Sequence, residues 1–269
     1  MTTVKACFVA IGDVVDESFE DLVHSIEVFC PGAAVAWYDS GRCRDAPDGL
    51  ERVVPHRPLK RWKTTPAFFD IFEWAAGRDY DCVVNVDAEL AFVKPGFLDF
   101  VAFQLRDTDY LATGLRHRVP RISMWPPYRT LLGAEREELA GILGIEHVNR
   151  AFGTAQVFGR RYIDALLASD RYPRLRDFAE RNQRPGHSHS LPELLFPTLA
   201  DSLGVRSRGY PGHLTALNRF RPFQSELDLA AAHSAADAFF LSPVRRSAED
   251  PVRAAVRENT RPEVRSSNA

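Results

Sequence analysis

The first forty residues constrain the fold of this 269-residue chain more than any other stretch. Val4 to Ile11 is an apolar run ending at Gly12-Asp13, the pattern of a strand buried on both faces of a parallel sheet. Phe19, Leu22, Val23, Ile26 and Phe29 follow at offsets 0, 3, 4, 7 and 10, which gathers them on one helical face. Ser18 is the expected N-cap of that helix, and Pro31-Gly32 its stop. Ala34 to Tyr38 supplies a second apolar run, closed by Asp39-Ser40-Gly41. A strand, a helix and a strand in this order pack as an α/β unit.

The alternation continues. Arg52-Val53-Val54 reads as a third short strand. Thr65-Pro66 offers an N-cap followed by proline at the first helical position, with Phe68, Phe69, Phe72 and Ala76 on one face. Cys82 to Val86 forms a compact apolar strand, and Pro95-Gly96 opens the next helix. Further on, helices are expected over 134–143, 160–168 and 191–203, and strands over 155–158 and 205–208. The expectation is one α/β domain over residues 1–260, an open, mostly parallel but mixed sheet flanked by helices. The polar tail 261–269 is expected to be disordered.

Composition narrows the partners. With 34 basic and 36 acidic residues and a net charge of -2, the chain has no electrostatic footprint for nucleic acid. Cys7, Cys30, Cys43 and Cys82 form no C-x-x-C pair, so neither a zinc site nor a disulfide framework is expected. Reduced thiols fit a cytoplasmic location. No window approaches the roughly 18 apolar residues of a membrane span, and no leader pattern is present at the N-terminus. Abundant Ala and Arg with only two Met fit a GC-rich bacterial coding sequence.

Ligands of open α/β sheets bind beyond the carboxyl ends of the strands, and the strand 82–86 delivers Asp87-Ala88-Glu89 there. Two acids at i and i+2 can turn toward one divalent ion. Mg²⁺ or Mn²⁺ prefers oxygen ligands and takes one or two carboxylates with phosphate oxygens completing the shell. Such an ion neutralises a leaving diphosphate. The competing reading is that Asp87 caps a turn and Glu89 is a solvated loop acid.

The segments Trp62-Lys63-Thr64-Thr65-Pro66-Ala67-Phe68-Phe69-Asp70-Ile71-Phe72 and Tyr80 to Val93 together resemble the donor half of GT-A glycosyltransferases. There, a hydrophobic strand followed by D-x-D marks the nucleotide-sugar site. Phe152 to Tyr162 resembles their acceptor-side strand and helix, and Pro192 to Leu199 the acidic helix start of related branching enzymes. The resemblance spans roughly residues 4 to 245. It implies a donor half over about 1–110, with Asp13, Trp62, Lys63, Asp87 and Glu89 at a UDP- or GDP-sugar. It also implies an acceptor-side half over about 111–260, with Trp125, Tyr128, Gln156 and His189 at a hydroxyl-bearing acceptor. Mn²⁺ or Mg²⁺ would sit on Asp87 and Glu89, and Glu193 would be the catalytic base. Glu89 departs from the usual second Asp, and some branching relatives dispense with metal.

Other readings accompany these residues. Ser190-Leu191-Pro192-Glu193 also fits an S-x-x-E capping box, which would spend Glu193 on a backbone amide. Lys60, Arg61, Lys63, Arg219 and Arg221 are candidate fixed charges for a diphosphate. Trp37, and the proline-stiffened Trp125-Pro126-Pro127-Tyr128, offer faces for a base or sugar ring. His187-Ser188-His189 lacks a third ligand at a zinc-like spacing, and His213 and His233 are weaker candidates for a metal. The alternatives to sugar transfer are a nucleotidyltransferase and a non-catalytic nucleotide- or carbohydrate-binding relative. A Rossmann-type methyltransferase is disfavoured, because Gly12 lacks the following glycines of G-x-G-x-x-G.

Overall fold

The computed structural model describes residues 4–41, 49–60, 63–119, 131, 133–181, 183 and 190–260; the 261–269 tail and Cys43 lie outside them. Nine strands are described: β1 (Ala6–Gly12), β2 (Ala34–Asp39), β3 (Glu51–Arg52), β4 (Cys82–Val86), β5 (Ala91–Phe92), β6 (Tyr110–Ala112), β7 (Val157–Gly159), β8 (Ser207–Gly209) and β9 (Phe240–Leu241). Seven of them form one sheet in the order β3-β2-β1-β4-β7-β6-β8, and β5 pairs with β9 apart from it. β3, β2, β1 and β4 are mutually parallel. β7 runs antiparallel to β4 and β6, while β8 is parallel to β6. The mixed, largely parallel sheet expected from the sequence is therefore what forms.

β1 and β4 sit side by side at the centre because their side chains are apolar on both faces. Cys7, Val9 and Val83 point into one core, Phe8, Ala10, Val84 and Val86 into the other. The second core is closed by α1 (Glu17–Phe29). Asp16, rather than the expected Ser18, caps α1: its Oδ1 accepts the Phe19 amide at 3.1 Å, while Ser18 is buried. A carboxylate there also faces the positive end of the helix dipole.

The first core is closed by α2 (Thr65–Ala76), which starts with Thr64 as N-cap and is buried almost all round. The sequence pattern gave α2 a single apolar face. In the structure it is sandwiched between the sheet and the helices α5 (Arg160–Leu167), α6 (Tyr172–Arg181) and α7 (Pro192–Ser202), and a helix in that position is apolar on every side. Phe68 and Phe72 pack edge-on or tilted against Phe158 and Phe196, with centroids 4.7–5.8 Å apart, a separation that favours aromatic pairs. Between α2 and α5, the described helices are α3 (Phe97–Gln104) and α4 (Gly133–Leu143). After α7 come α8 (Gly212–Leu217), α9 (Glu226–Ser234) and α10 (Pro251–Thr260), of which α9 and α10 build a third apolar cluster with β5 and β9.

Buried Asp70 of α2 ties this side of the molecule together. Its carboxylate accepts from Tyr38 Oη of β2 at 2.7 Å, from Arg57 Nη2 at 2.9 Å and from Arg176 of α6. The carboxyl ends of β1, β2 and β4 open together at Gly12, Ser40 and Asp87, which line one cleft. The Ser40 amide donates to Gly12 O at 2.8 Å.

Candidate active site

Beyond β4 the chain turns sharply, and Asp87 makes the turn. Its Oδ1 accepts the Glu89 amide at 2.8 Å and its Oδ2 accepts the Thr154 hydroxyl at 2.7 Å. An aspartate that bonds the amide two residues on is a local turn-former, so the turn-capping reading holds for one oxygen. The other oxygen is engaged across the sheet. Arg253 of α10, fully buried, donates Nη2 to Ala88 O and Nη1 to Ser18 O, the latter at 3.2 Å. The Val244 amide donates to Glu89 O at 2.6 Å. The acidic turn is thus pinned from beneath.

Asn85 organises the neighbouring loop. Its Nδ2 donates to Gly153 O at 2.7 Å, and its Oδ1 accepts the Gln156 amide at 2.9 Å. This brings Thr154 to Asp87 and sets Gly153 against the first turn of α7. A Cβ on Gly153 would lie 3.2 Å from both Cγ and Oε1 of Glu193, so any side chain there would press that carboxylate aside by a few tenths of an ångström.

The expected capping box is absent: Leu191 is the N-cap of α7 and no side chain caps it. The Glu193 carboxyl is free of that task and makes no side-chain hydrogen bond among the described residues. Burial pushes its pKa up to about 8, with the charge of Arg150 opposing the shift. A carboxyl raised by desolvation in a cleft is the usual state of a proton-transfer group.

Two clefts meet at Asp87. The larger, about 530 Å³, is lined by Gly12, Asp13, Asp16, Ser40, Lys60, Glu89 and Arg246 among others. The smaller, about 190 Å³, is lined by Phe68, Asn85, Gly153, Thr154, Ser190 and Glu193 among others. Ile11, Thr64 and Asp87 line both. A separate cavity of about 380 Å³, bordered by Val4, Asp81 and Arg161, lies at the amino end of β4, where sheets of this kind do not bind ligands.

Of the residues expected at a donor, Asp13, Asp87 and Glu89 come together in the larger cleft, and Glu193 lies in the smaller one. Lys63 is buried and lines neither; burial, then the charge of Lys60, pushes its amine down. Lys60 takes the place beside the cleft instead. Gln156, expected at the acceptor, is fully buried: its Oε1 accepts Tyr110 Oη and its Nε2 donates to Phe152 O, both at 3.0 Å. Both ends of its amide are spent inside the sheet, and it lines neither cleft. Trp62, Trp125, Tyr128 and His189, with Arg61 and His187, lie outside the described residues.

Trp37 is core, packed on Phe19. Arg219 pairs with Asp228 at 2.9 Å and His213 with Asp237. Asn85, the Gly153-Thr154 pair and Arg246, which come from three distant segments of the chain, were not among the expected site residues. The signal for Asn85 was present, since a polar residue inside an otherwise apolar buried strand must find partners. Arg246 carried none.

Among the described residues no group of three or more His, Cys, Asp or Glu is arranged to hold a metal ion, and no helix is long and apolar enough to cross a membrane. Cys7, Cys30 and Cys82 are buried free thiols.

No protein-family model and no curated protein matches the chain. Among solved structures it is similar to the galactosyltransferase LgtC in complex with donor and acceptor sugar analogues, at 10% identity over 77% of this chain and 74% of that one, TM-score 0.44. It is also similar to the glycosyltransferase GlyE of Streptococcus pneumoniae TIGR4, at 11% identity over 97% of this chain and 61% of that one, TM-score 0.48. A third likeness is to the mannosyltransferase Ktr4p of S. cerevisiae, at 8% identity over 77% and 68%, TM-score 0.40.

Proposed function

We propose that this chain is a glycosyltransferase that moves a sugar from a UDP- or GDP-sugar to a hydroxyl group of an acceptor. One observation carries the reading: two clefts join at Asp87, and the carboxyl in the smaller one makes no side-chain hydrogen bond among the described residues, lies partly buried and has a raised pKa. The larger cleft has the volume of a small-molecule site and takes the nucleotide, with Asp13 and Asp87 accepting from donor hydroxyls. The smaller cleft takes the acceptor. Glu193 removes the proton of the acceptor hydroxyl as that oxygen bonds the anomeric carbon, and the bond from that carbon to the diphosphate breaks. The join at Asp87 supports the reading because transfer requires the anomeric carbon to lie between the two ligands.

The negative charge developing on the diphosphate needs a positive counterpart. The sequence reading assigned Mn²⁺ or Mg²⁺ on Asp87 and Glu89. The donor set fits that ion poorly: Glu89 Oε2 lies 3.2 Å from Arg221 Nη1, and a second cation on that carboxylate would be repelled by the first.

The test is a panel of UDP- and GDP-sugars, offered with simple glycoside acceptors and scored for nucleoside diphosphate release. Turnover by the wild type that disappears in Asp87→Ala, with an unchanged circular dichroism spectrum, supports the assignment. Nucleotide binding with no turnover across the panel would instead support a non-catalytic binding protein. Release of pyrophosphate from nucleoside triphosphates would point to nucleotidyl transfer.

A further inference from the structure

We propose that a diphosphate in the larger cleft finds its counter-charge in Arg246 and Lys60, which line it, and in Arg221, which is tied to Glu89 of the cleft wall, in place of a divalent ion, and that Glu89 serves to position Arg221. This rests on the donor-site reading above.

Three observations lead to it. First, Arg221 is held, not loose. Its Nη1 donates to Glu89 Oε2 at 3.2 Å and to Phe220 O at 2.7 Å, and its guanidinium lies 4.2 Å from the centroid of the Phe223 ring. Second, Arg246 is held the same way by an acid of the same cleft, Nη2 donating to Asp16 Oδ2 at 2.8 Å. Third, in both guanidiniums the other side-chain N–H groups have no hydrogen-bond partner among the described residues. A guanidinium has five N–H donors in a fixed fork suited to phosphate oxygens; a carboxylate that occupies one or two of them aims the rest. Lys60 lines the same cleft from the loop after β3, and its ammonium makes no ion pair among the described residues.

The acids of the cleft then divide by task. Glu89 and Asp16 each offset and orient an arginine. Asp87, whose oxygens already accept the Glu89 amide and the Thr154 hydroxyl, and Asp13 offer further lone pairs to ribose or sugar hydroxyls, which are donors. This also accounts for glutamate at position 89. From the turn after β4, a side chain longer by one methylene reaches Arg221, which comes from a segment 132 residues further along the chain.

Calorimetric titration of the full-length protein with UDP and GDP, and with uridine and guanosine as phosphate-free controls, tests the proposal in two buffers, one with EDTA and one with Mn²⁺. The diphosphate is expected to bind in EDTA, with Mn²⁺ changing its affinity by no more than about twofold. Arg221→Gln should weaken diphosphate binding about tenfold or more while leaving nucleoside binding unchanged, and Arg221→Lys should recover part of the loss. Glu89→Gln should weaken diphosphate binding in the same sense as Arg221→Gln and by less, since it loosens the guanidinium without removing it. Thermal melts of each variant separate loss of contact from loss of fold. Diphosphate binding that requires Mn²⁺, or that is unchanged in Arg221→Gln, overturns this proposal and leaves the donor site standing. Absence of nucleotide binding in both buffers overturns the donor-site reading and this proposal together.

Discussion

A carboxyl in a cleft without a hydrogen-bond partner is costly to keep charged, and among the described residues Glu193 has none, with Gly153 on one side and the unused cap of α7 on the other. With its pKa raised to about 8, the fraction able to act as a base grows as pH rises through that value. Turnover should therefore climb on an alkaline-going limb centred near 8. Glu193→Gln should lower kcat by about 10²–10⁴-fold, the usual contribution of a positioned base, and abolish the limb; a limb that survives in the variant would assign it to another group. The same shift fixes a stability trend. The folded state keeps the proton between the ordinary glutamate pKa of 4.5 and about 8, whereas the unfolded chain has lost it, so folding stability falls across that window and levels off above it. Urea midpoints measured across this range should show a decline that is shallower in Glu193→Gln. At this scale the sequence singled out Glu193 only through likeness to an acidic helix start. The missing capping bond, which frees it, depends on backbone geometry at Ser190 and Leu191 that no residue pattern displays.

At the scale of elements, the acidic turn after β4 is held by a helix from the far end of the described chain. The Arg253 guanidinium of α10 is wholly buried and serves Ala88 O, Ser18 O and Arg245 O. Replacing it by Met preserves much of the volume and takes the donor away from Ala88 O and Arg245 O, while Ser18 O keeps its place inside α1; a polar group left unsatisfied costs about 1–3 kcal/mol. Arg253→Met should therefore lower the urea midpoint and raise the donor KM more than it lowers kcat, because the turn bearing Asp87 loses its support while Glu193 is untouched. Steady-state kinetics on the folded fraction checks this, and a donor KM equal to the wild type's would dismiss the coupling. The strand itself was legible: its bounds, Cys82 to Val86, agree with the structure, since five apolar or strand-compatible residues between polar flanks admit little else. The helix that braces it was not expected. A ten-residue stretch with arginine in its middle reads as exposed until its tertiary partners are known.

At the scale of the molecule, one face of the sheet is locked by a charge network in place of further apolar packing. Asp70 is fully buried and binds Tyr38 of β2, Arg57 of the loop after β3 and Arg176 of α6. Asp70→Asn would place amide hydrogens against two guanidiniums. The expected cost is about 2–3 kcal/mol, below the range for wholly buried pairs, because Arg57 and Arg176 are 36% and 24% exposed. A urea midpoint within error of the wild type would contradict this. Local and global effects separate by hydrogen exchange, since the network joins three elements and its loss should raise opening of α2, α6 and β2 together.

The sequence by itself determined the alternation of strands and helices, the apolar character of β1 and β4, and the strand end on which Asp87 stands. Those follow from apolar periodicity, which is local and survives in one dimension. The tertiary structure decided what the polar residues do. Gln156 belongs to the sheet interior, Lys63 is buried while Lys60 lines the cleft, and Glu89 faces Arg221. These outcomes turn on which distant segments meet. A charge or an amide is satisfied by whatever partner arrives, and its chemistry is set by that partner and by the water excluded with it.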